Sequence, residues 1–493
     1  MADELTLQQV VVATVAKAAG RAPRDCARLT LSLWNDLGID SLSLLELIRE
    51  LERRFQVTIP DEDTGQAHTV GDLVMIVQRL AGSDPRAQPD RHTMTERLIE
   101  PRGRGFLLFD SHPGGCEKIV GDMWDRVAPA TAATKAERRP IALVIGSSAG
   151  YGMATTIAGI RRYGLDGVGL CFERPPTERR TATAGWYRTI ATAELAAKAG
   201  RDWSFINGDA FADDTKAQVL DLLAERFGGI DYLIYSVAAP HRTDPGTGQV
   251  HQSVIQPLGA GYSTKTLDVS GDEPALKEVW VELATEQERA DTIKVMGGED
   301  WAGWVDALAE CALLRPGFTT VALSYIGSDL TAPIYREGTI GAAKAHLEET
   351  ALTLNGDLAG VGGRAMTSVN GAAVTQASTA IPGIALYVSL LRGVLGEAMQ
   401  SPLQQSVELW DQLTGARELD LDDHGRIRLD GWELAPLIQK QVTERWKAVA
   451  PGTIGDLADI EWFGEEVRRL YGFDVPGVNY SAPSEPDLLW PTK

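Results

Sequence analysis

Five apolar residues, Ile141-Ala142-Leu143-Val144-Ile145, run straight into a turn of mostly small residues, Gly146-Ser147-Ser148-Ala149-Gly150-Tyr151-Gly152. An uninterrupted apolar run of this length reads as a strand buried on both faces, as in parallel sheets. Glycines at a strand-to-helix turn let backbone N–H groups reach a pyrophosphate at the N-terminus of the next helix. Here the strand stands before the glycines and a helical segment after them. The pattern then recurs. Gly167 to Phe172 is a second strand-like run, and it ends in Glu173, about twenty residues past the last glycine. An acidic residue at that distance accepts bonds from the adenosine ribose hydroxyls. Arg174 follows directly, so spacing alone leaves a 2′-phosphate open. Trp203 to Ile206 leads into Asn207-Gly208-Asp209-Ala210-Phe211, and Ile230 to Val237 ends in Tyr235-Ser236-Val237-Ala238. Strands alternating with helices predict an α/β fold, a Rossmann-type doubly wound parallel sheet with its ligand at the carboxyl edge. The candidate nucleotide-binding residues are Gly146, Ser148, Gly150, Tyr151, Gly152, Phe172, Glu173, Asp209, Ala210, Ser236 and Ala238. No Walker lysine follows the glycines, which disfavours ATP.

A second stretch carries the chemistry. Tyr335 is followed nine positions later by Lys344, with Gly338, Gly341, Ala342 and Ala343 between them. On one continuous helix, nine steps of about 100° would put the two side chains on opposite faces. They meet only if the segment is broken. Gly338 supplies the break, and Thr339 is the expected N-cap of a helix beginning at Ile340. Tyr335 then sits on the entering loop and Lys344 one turn inside the helix. A nearby ammonium makes a phenol a better proton donor, and it can bond the sugar hydroxyls of a nucleotide.

The chain begins differently. Helical apolar spacing runs from Leu7 to Ala18, from Leu42 to Phe55 and from Val70 to Leu80. Between the first two lies Asp36-Leu37-Gly38-Ile39-Asp40-Ser41-Leu42, with Ser41 at a helix start. A phosphodiester there would be favoured by free N–H groups and the helix dipole. Residues 81–92 carry two prolines and no apolar periodicity, and read as a linker.

The net charge of −21 argues against nucleic acid and anionic membranes as partners. Cys26, Cys116, Cys171 and Cys311 are scattered, without metal-ligand spacing. No metal is expected. Without a signal-type or membrane-spanning apolar run, a soluble, cytoplasmic, monomeric protein is expected.

The first unit, through Leu37-Gly38-Ile39-Asp40-Ser41-Leu42, Phe55-Gln56-Val57-Thr58-Ile59-Pro60 and Asp61-Glu62-Asp63, resembles acyl carrier proteins, small four-helix domains. The resemblance implies a 4′-phosphopantetheine arm on Ser41, installed by a phosphopantetheinyl transferase and bearing acyl thioesters from upstream synthases. The rest resembles the FabV/Ter family of trans-2-enoyl-thioester reductases, relatives of short-chain dehydrogenases. The stretches that carry this likeness include His112-Pro113, Gly115-Cys116-Glu117, Gly150-Tyr151-Gly152, Phe172-Glu173-Arg174-Pro175, Met296 to Trp301, Tyr335 to Lys344, Val374-Thr375-Gln376 and Tyr471-Gly472-Phe473. It implies hydride transfer from NADH to the β-carbon of an enoyl thioester on its own or another carrier. Tyr335 would stabilise the enolate, Lys344 would hold the nicotinamide ribose, and Thr375 and Gln376 would lie near the nicotinamide. Two positions depart from the family: Ala345 stands where a second lysine is common, and Thr155-Thr156 where an arginine is expected. Both remove positive charge and put cofactor affinity and the binding of free coenzyme A substrates in doubt. The expected organisation is a carrier domain over 1–82, a linker over 83–93 and a reductase over 94–493. The competing readings are a carrier-tethered ketone or imine reductase and a non-catalytic carrier scaffold.

Overall fold

The computed structural model describes all residues except 1–6, 34–35, 38, 40, 56, 58, 60–66, 68, 82–95, 105, 131–137, 178–179, 269–273, 377 and 492–493. The chain separates into two compact units: residues 1–95 with 102–109 and 178–180, and the remainder.

In the first unit the described α-helices are α1 (Leu7–Ala18), α2 (Ser41–Phe55) and α3 (Val70–Ala81), with a 3₁₀ turn at Pro23–Cys26. On α2, Leu44, Leu47, Ile48 and Leu51 share one face by their spacing. They pack with Val11, Val15, Leu73 and Val77 in one apolar core. Glu50, outside that stripe, pairs with Arg53 at 2.8 Å and Arg54 at 2.6 Å. The helix expected from Leu42 begins at Ser41. The side chain of Ser41, the acidic Asp61-Glu62-Asp63 and the linker expected over 83–93 lie outside the described residues.

The second unit is built on seven parallel strands. They are β1 (Ile141–Ile145), β2 (Asp166–Cys171), β3 (Trp203–Asn207), β4 (Ile230–Tyr235), β5 (Leu314–Ser324), β6 (Arg364–Val369) and β7 (Ile427–Arg428). Their order is β3-β2-β1-β4-β5-β6-β7. The order reverses at β1/β4, the switch point at which such sheets open a ligand crevice. Leu143 in β1 stands opposite Val168 in β2 and Leu233 in β4. Both faces are covered. Ala142 and Val144 pack with α5 (Gly150–Tyr163), whereas Ile141, Leu143 and Ile145 pack with α9 (Glu299–Glu310) and α10 (Thr339–Asp357) on the other side. The intervening helices are α4 (Pro113–Arg126), α6 (Ala184–Lys198), α7 (Asp213–Arg226) and α8 (Glu286–Met296). After β6 come α11 (Ile384–Leu395) and α12 (Pro402–Leu413), and after β7 the short α13 (Gly431–Leu434) and α14 (Pro436–Ala448).

The doubly wound sheet read from the sequence is present. Some boundaries move: β2 ends at Cys171 and β4 at Tyr235, so Phe172 and Ser236 lie on loops beyond the strand ends, while β3 runs on to Asn207. Among the described residues no helix is long and apolar enough to cross a membrane.

Candidate active site

The predicted nucleotide-binding residues gather at the carboxyl ends of β1 to β4 and β6. Gly146 has φ +87° and packs so closely that an added Cβ would lie 2.0 Å from the Ser236 carbonyl oxygen. Only glycine fits there. The Ser236 N–H donates in turn to the Ile145 carbonyl at 2.9 Å. The turn from β1 is thereby clamped to the end of β4. Gly152 approaches the Gly146 carbonyl just as closely, and α5 starts at Gly150 with its cap, Ala149, supplying no side-chain bond. Phe172 is two-thirds exposed beside this turn's strand, at 66%. Asp209 accepts from the Phe211 N–H at 3.0 Å, and the Ala210 carbonyl accepts from Trp304 Nε1 at 3.2 Å. Ala238 is exposed.

Glu173 is already engaged. Ser148 Oγ donates to its carboxylate at 2.6 Å, and Thr183 Oγ1 donates to the other oxygen. A carboxylate is thus fixed directly against the glycine turn. Thr375 Cγ2 comes within 3.5 Å of where a Gly150 Cβ would stand, so the loop after β6 folds over that turn. Gln376, next on that loop, is exposed. Tyr151 fixes the base of this loop, donating to the Gly371 carbonyl at 2.5 Å.

The break before Lys344 is real, but its cap differs from expectation. α10 begins at Thr339, with Gly338 as N-cap and no side-chain capping bond. The Thr339 hydroxyl donates instead to the Val254 carbonyl at 2.5 Å, and Gln256 N–H donates to it at 3.3 Å. A neighbouring segment outcompetes the helix's own N–H groups for that hydroxyl. Gly341 is required for a different reason: an added Cβ would meet the Tyr335 carbonyl at 2.0 Å. That close approach folds the Tyr335 turn onto the first turn of α10.

Tyr335 is 7% exposed, and among the described residues its hydroxyl has no hydrogen-bond partner. Lys344 likewise makes no hydrogen bond or ion pair among the described residues. Burial raises the Tyr335 phenol well above its ordinary value, with the Glu433 charge adding to it. Burial also pushes the Lys344 ammonium down to about 8. A phenol and an ammonium, each without a hydrogen-bond partner among the described residues at the carboxyl edge of a dinucleotide-type sheet, have the chemistry to meet a ribose and a reacting carbonyl.

Thr155 and Thr156, where an arginine is expected, stand on α5. Both are buried, their hydroxyls donating to Tyr151 O at 2.7 Å and Gly152 O at 2.8 Å within α5. Ala345 is exposed.

Sequence reasoning missed the groups behind Tyr335. Tyr325, just past β5, stands edge-on to the Tyr335 ring, with centroids 4.7 Å apart and planes at 83°. Its hydroxyl donates to Glu433 at 2.9 Å, and Tyr387 on α11 donates to the same oxygen at 2.7 Å. The other oxygen of Glu433 accepts the Ala372 N–H. The available signal was position: Tyr325, Ala372 and Glu433 each follow the carboxyl end of a strand.

A glycine turn, a fixed acidic residue and a Tyr–Lys pair on one parallel sheet define a nicotinamide-dependent oxidoreductase of the short-chain dehydrogenase type. Comparison with known proteins narrows this. Residues 98–178 match the NAD(P)H binding domain of trans-2-enoyl-CoA reductase, residues 180–414 the trans-2-enoyl-CoA reductase catalytic region, and residues 9–76 a phosphopantetheine attachment site. The chain is 61% identical over 394 residues to an enoyl-[acyl-carrier-protein] reductase [NADH] of Streptomyces avermitilis, covering 80% of this chain and all of that protein. It is 40% identical over 386 residues to a trans-2-enoyl-CoA reductase [NADH] of Clostridium perfringens, covering 78% of this chain and 98% of that one. The crystal structure of the Treponema denticola trans-2-enoyl-CoA reductase with NAD superposes with a TM-score of 0.74 at 37% identity, over 79% of this chain and 98% of that one. The chain belongs to the trans-2-enoyl-CoA and enoyl-acyl-carrier-protein reductase family. It is an NADH-dependent enoyl reductase carrying a phosphopantetheine attachment domain.

Residues 421–483 also match an enoyl reductase FAD binding domain. A flavin dinucleotide would need cations or free helix N-termini for its pyrophosphate, and several of the cations there are already taken. Arg426 is bound to Glu348 and Asp422, Arg428 to Asp422 and Asp430, and Arg469 to Glu465 and Glu466. Asp459 caps the helix Ile460–Arg469 with its own carboxylate.

Proposed function

We propose that the chain reduces the C2–C3 double bond of a trans-2-enoyl thioester held on its own phosphopantetheine arm at Ser41. One observation carries this: a phosphopantetheine attachment domain and a reductase region matching a relative over its full length share one polypeptide. The residues at the sheet edge fit NADH, which when bound supplies the hydride to the β-carbon. Lys344 would hold the nicotinamide ribose. Tyr335 would donate its hydrogen bond, and then its proton, toward the thioester oxygen as charge develops there. Thr375 and Gln376 would border the nicotinamide. Glu173, fixed by Ser148 and Thr183, would repel a 2′-phosphate and so select NADH over NADPH. A phosphopantetheinyl transferase would install the arm and acyl-chain synthases would load it, all in the cytoplasm.

Intact mass spectrometry tests the proposal. The full chain, loaded with a crotonyl-type group on its arm, should gain two hydrogens on addition of NADH. Ser41→Ala should accept no arm. A loaded chain unchanged by NADH would defeat the reading.

A further inference from the structure

We propose that Glu433 is a positioning residue for this reduction, holding Tyr335 and the loop after β6 in one register through a single buried carboxylate. The inference rests on the roles given to Tyr335 and Lys344 above. Glu433 lies on α13, just past the end of β7, and is fully buried at 0% exposure. Tyr325 and Tyr387 donate to one of its oxygens at 2.9 Å and 2.7 Å, and the Ala372 N–H donates to the other. Tyr325 passes this constraint to Tyr335 through its ring edge. Ala372 passes it to the loop that runs on to Thr375, against the glycine turn. Gln439 closes the cluster, donating to the Tyr387 hydroxyl at 3.0 Å and to the Glu433 carbonyl at 2.8 Å.

The donor count decides which form of the carboxyl works. Three donors converge on it. A carboxylate accepts all three, whereas a neutral carboxyl must itself donate through one oxygen. A proton on the oxygen facing Ala372 would oppose an N–H that cannot turn away. A proton on the other would force one phenol to reverse its bond. The titratable groups facing Glu433 are Tyr325 from the end of β5 and Tyr387 from α11. Asp430 lies on the approach from β7, paired with Arg428 at 2.8 Å. Tyr335 and Tyr151 lie within its field. Burial pushes the Glu433 carboxyl up to about 7, so both forms are reached near neutrality. The anion satisfies every donor and keeps the Tyr335 phenol protonated, as a donor must be. Activity should therefore rise with pH through about 7.

The test uses the full chain, NADH and a crotonyl thioester, following kcat/KM against pH. The wild type should show an acidic limb. Glu433→Gln should lose that limb and lower kcat on the order of 10²-fold through misplacement, with KM for NADH little changed. Tyr325→Phe keeps the ring edge and removes one donor from the anion, so its limb should move to higher pH. Wild-type kcat and an unchanged limb in Glu433→Gln overturn the proposal and leave the Tyr335 reading standing. An unmoved limb in Tyr325→Phe overturns it too, even if Glu433→Gln fails to fold. A wild type inactive on the thioester overturns the underlying reading instead.

Discussion

Tyr335 faces a conflict between burial and function. Burial makes its phenol a weaker acid, yet the proposed mechanism asks it to donate. In that mechanism Lys344 and the charge developing on the substrate supply the difference. Tyr335→Phe should therefore fold and bind NADH, while kcat falls by roughly 10²- to 10⁴-fold, the usual contribution of a positioned acid. Tryptophan fluorescence quenching by NADH and steady-state turnover check the two halves. Near-normal turnover would mean that another group donates. Lys344 makes a prediction of opposite sense in pH. Its ammonium is held down to about 8 by desolvation, so the charged form is present below that value and lost above it. The kcat/KM for NADH, which reports the free enzyme, should fall above about pH 8. Lys344→Arg should flatten that alkaline limb at a lower plateau; an unchanged limb would assign it to another group. As candidates both residues were visible in the sequence because their spacing forces a break. Glu433 was not, because a glutamate between Trp432 and Leu434 carries no local sign of its partners, which come from three distant segments.

The glycine of the broken element is a steric requirement that can be measured. In Gly341→Ala the new Cβ would overlap the Tyr335 carbonyl, 2.0 Å away. Backbone, not a flexible side chain, must yield, so a loss of about 1–3 kcal/mol is expected by analogy with overpacked cores. Denaturant unfolding of the reductase unit measures it, and unchanged stability with normal turnover would refute the packing argument. The short helix α13 makes a second claim. Glu433 has its folded value near 7, above its ordinary 4.5. The folded state thus keeps a proton that the unfolded chain releases. This contribution is fully present below about 4.5 and is lost as pH rises toward 7, roughly 3 kcal/mol in all. Thermal unfolding from pH 5 to 8 should show that decline in the wild type and a shallower one in Glu433→Gln. At this scale the sequence was readable where elements are regular. β1 to β4 stood out as short apolar or strand-like runs, whereas β5 hides behind Pro316 and Gly317, where its register slips between Leu314 and Thr319. β7 is two residues long, too short for any period to show. The Thr339 cap was misplaced because a partner 85 residues away in sequence took its hydroxyl.

For the whole molecule, the central question is what fusing the carrier to the reductase achieves. Family members such as the Streptomyces avermitilis enzyme match this chain over their full length yet leave about a fifth of it uncovered. The attachment site at residues 9–76 lies within what this chain adds. In general a flexible chain of about a dozen residues spans roughly 20 Å, and a pantetheine arm would extend such a reach. Tethering over such distances gives effective concentrations in the millimolar range. The reductase then has little need of strong docking charge, which accords with Ala345 standing where a second lysine is common. Acyl groups loaded on Ser41 should be reduced at a rate independent of protein concentration, and the reductase from about Met94 onward should handle free acyl-coenzyme A poorly. Mixing separates delivery within a chain from delivery between chains. An acyl-loaded Tyr335→Phe chain, unable to reduce its own cargo, is combined with an unloaded Ser41→Ala chain carrying an intact site. Same-chain delivery predicts slow reduction in this mixture and fast reduction in the loaded wild type at any dilution. Fast reduction that scales with the concentration of the Ser41→Ala partner would instead show that one molecule's arm serves another's site.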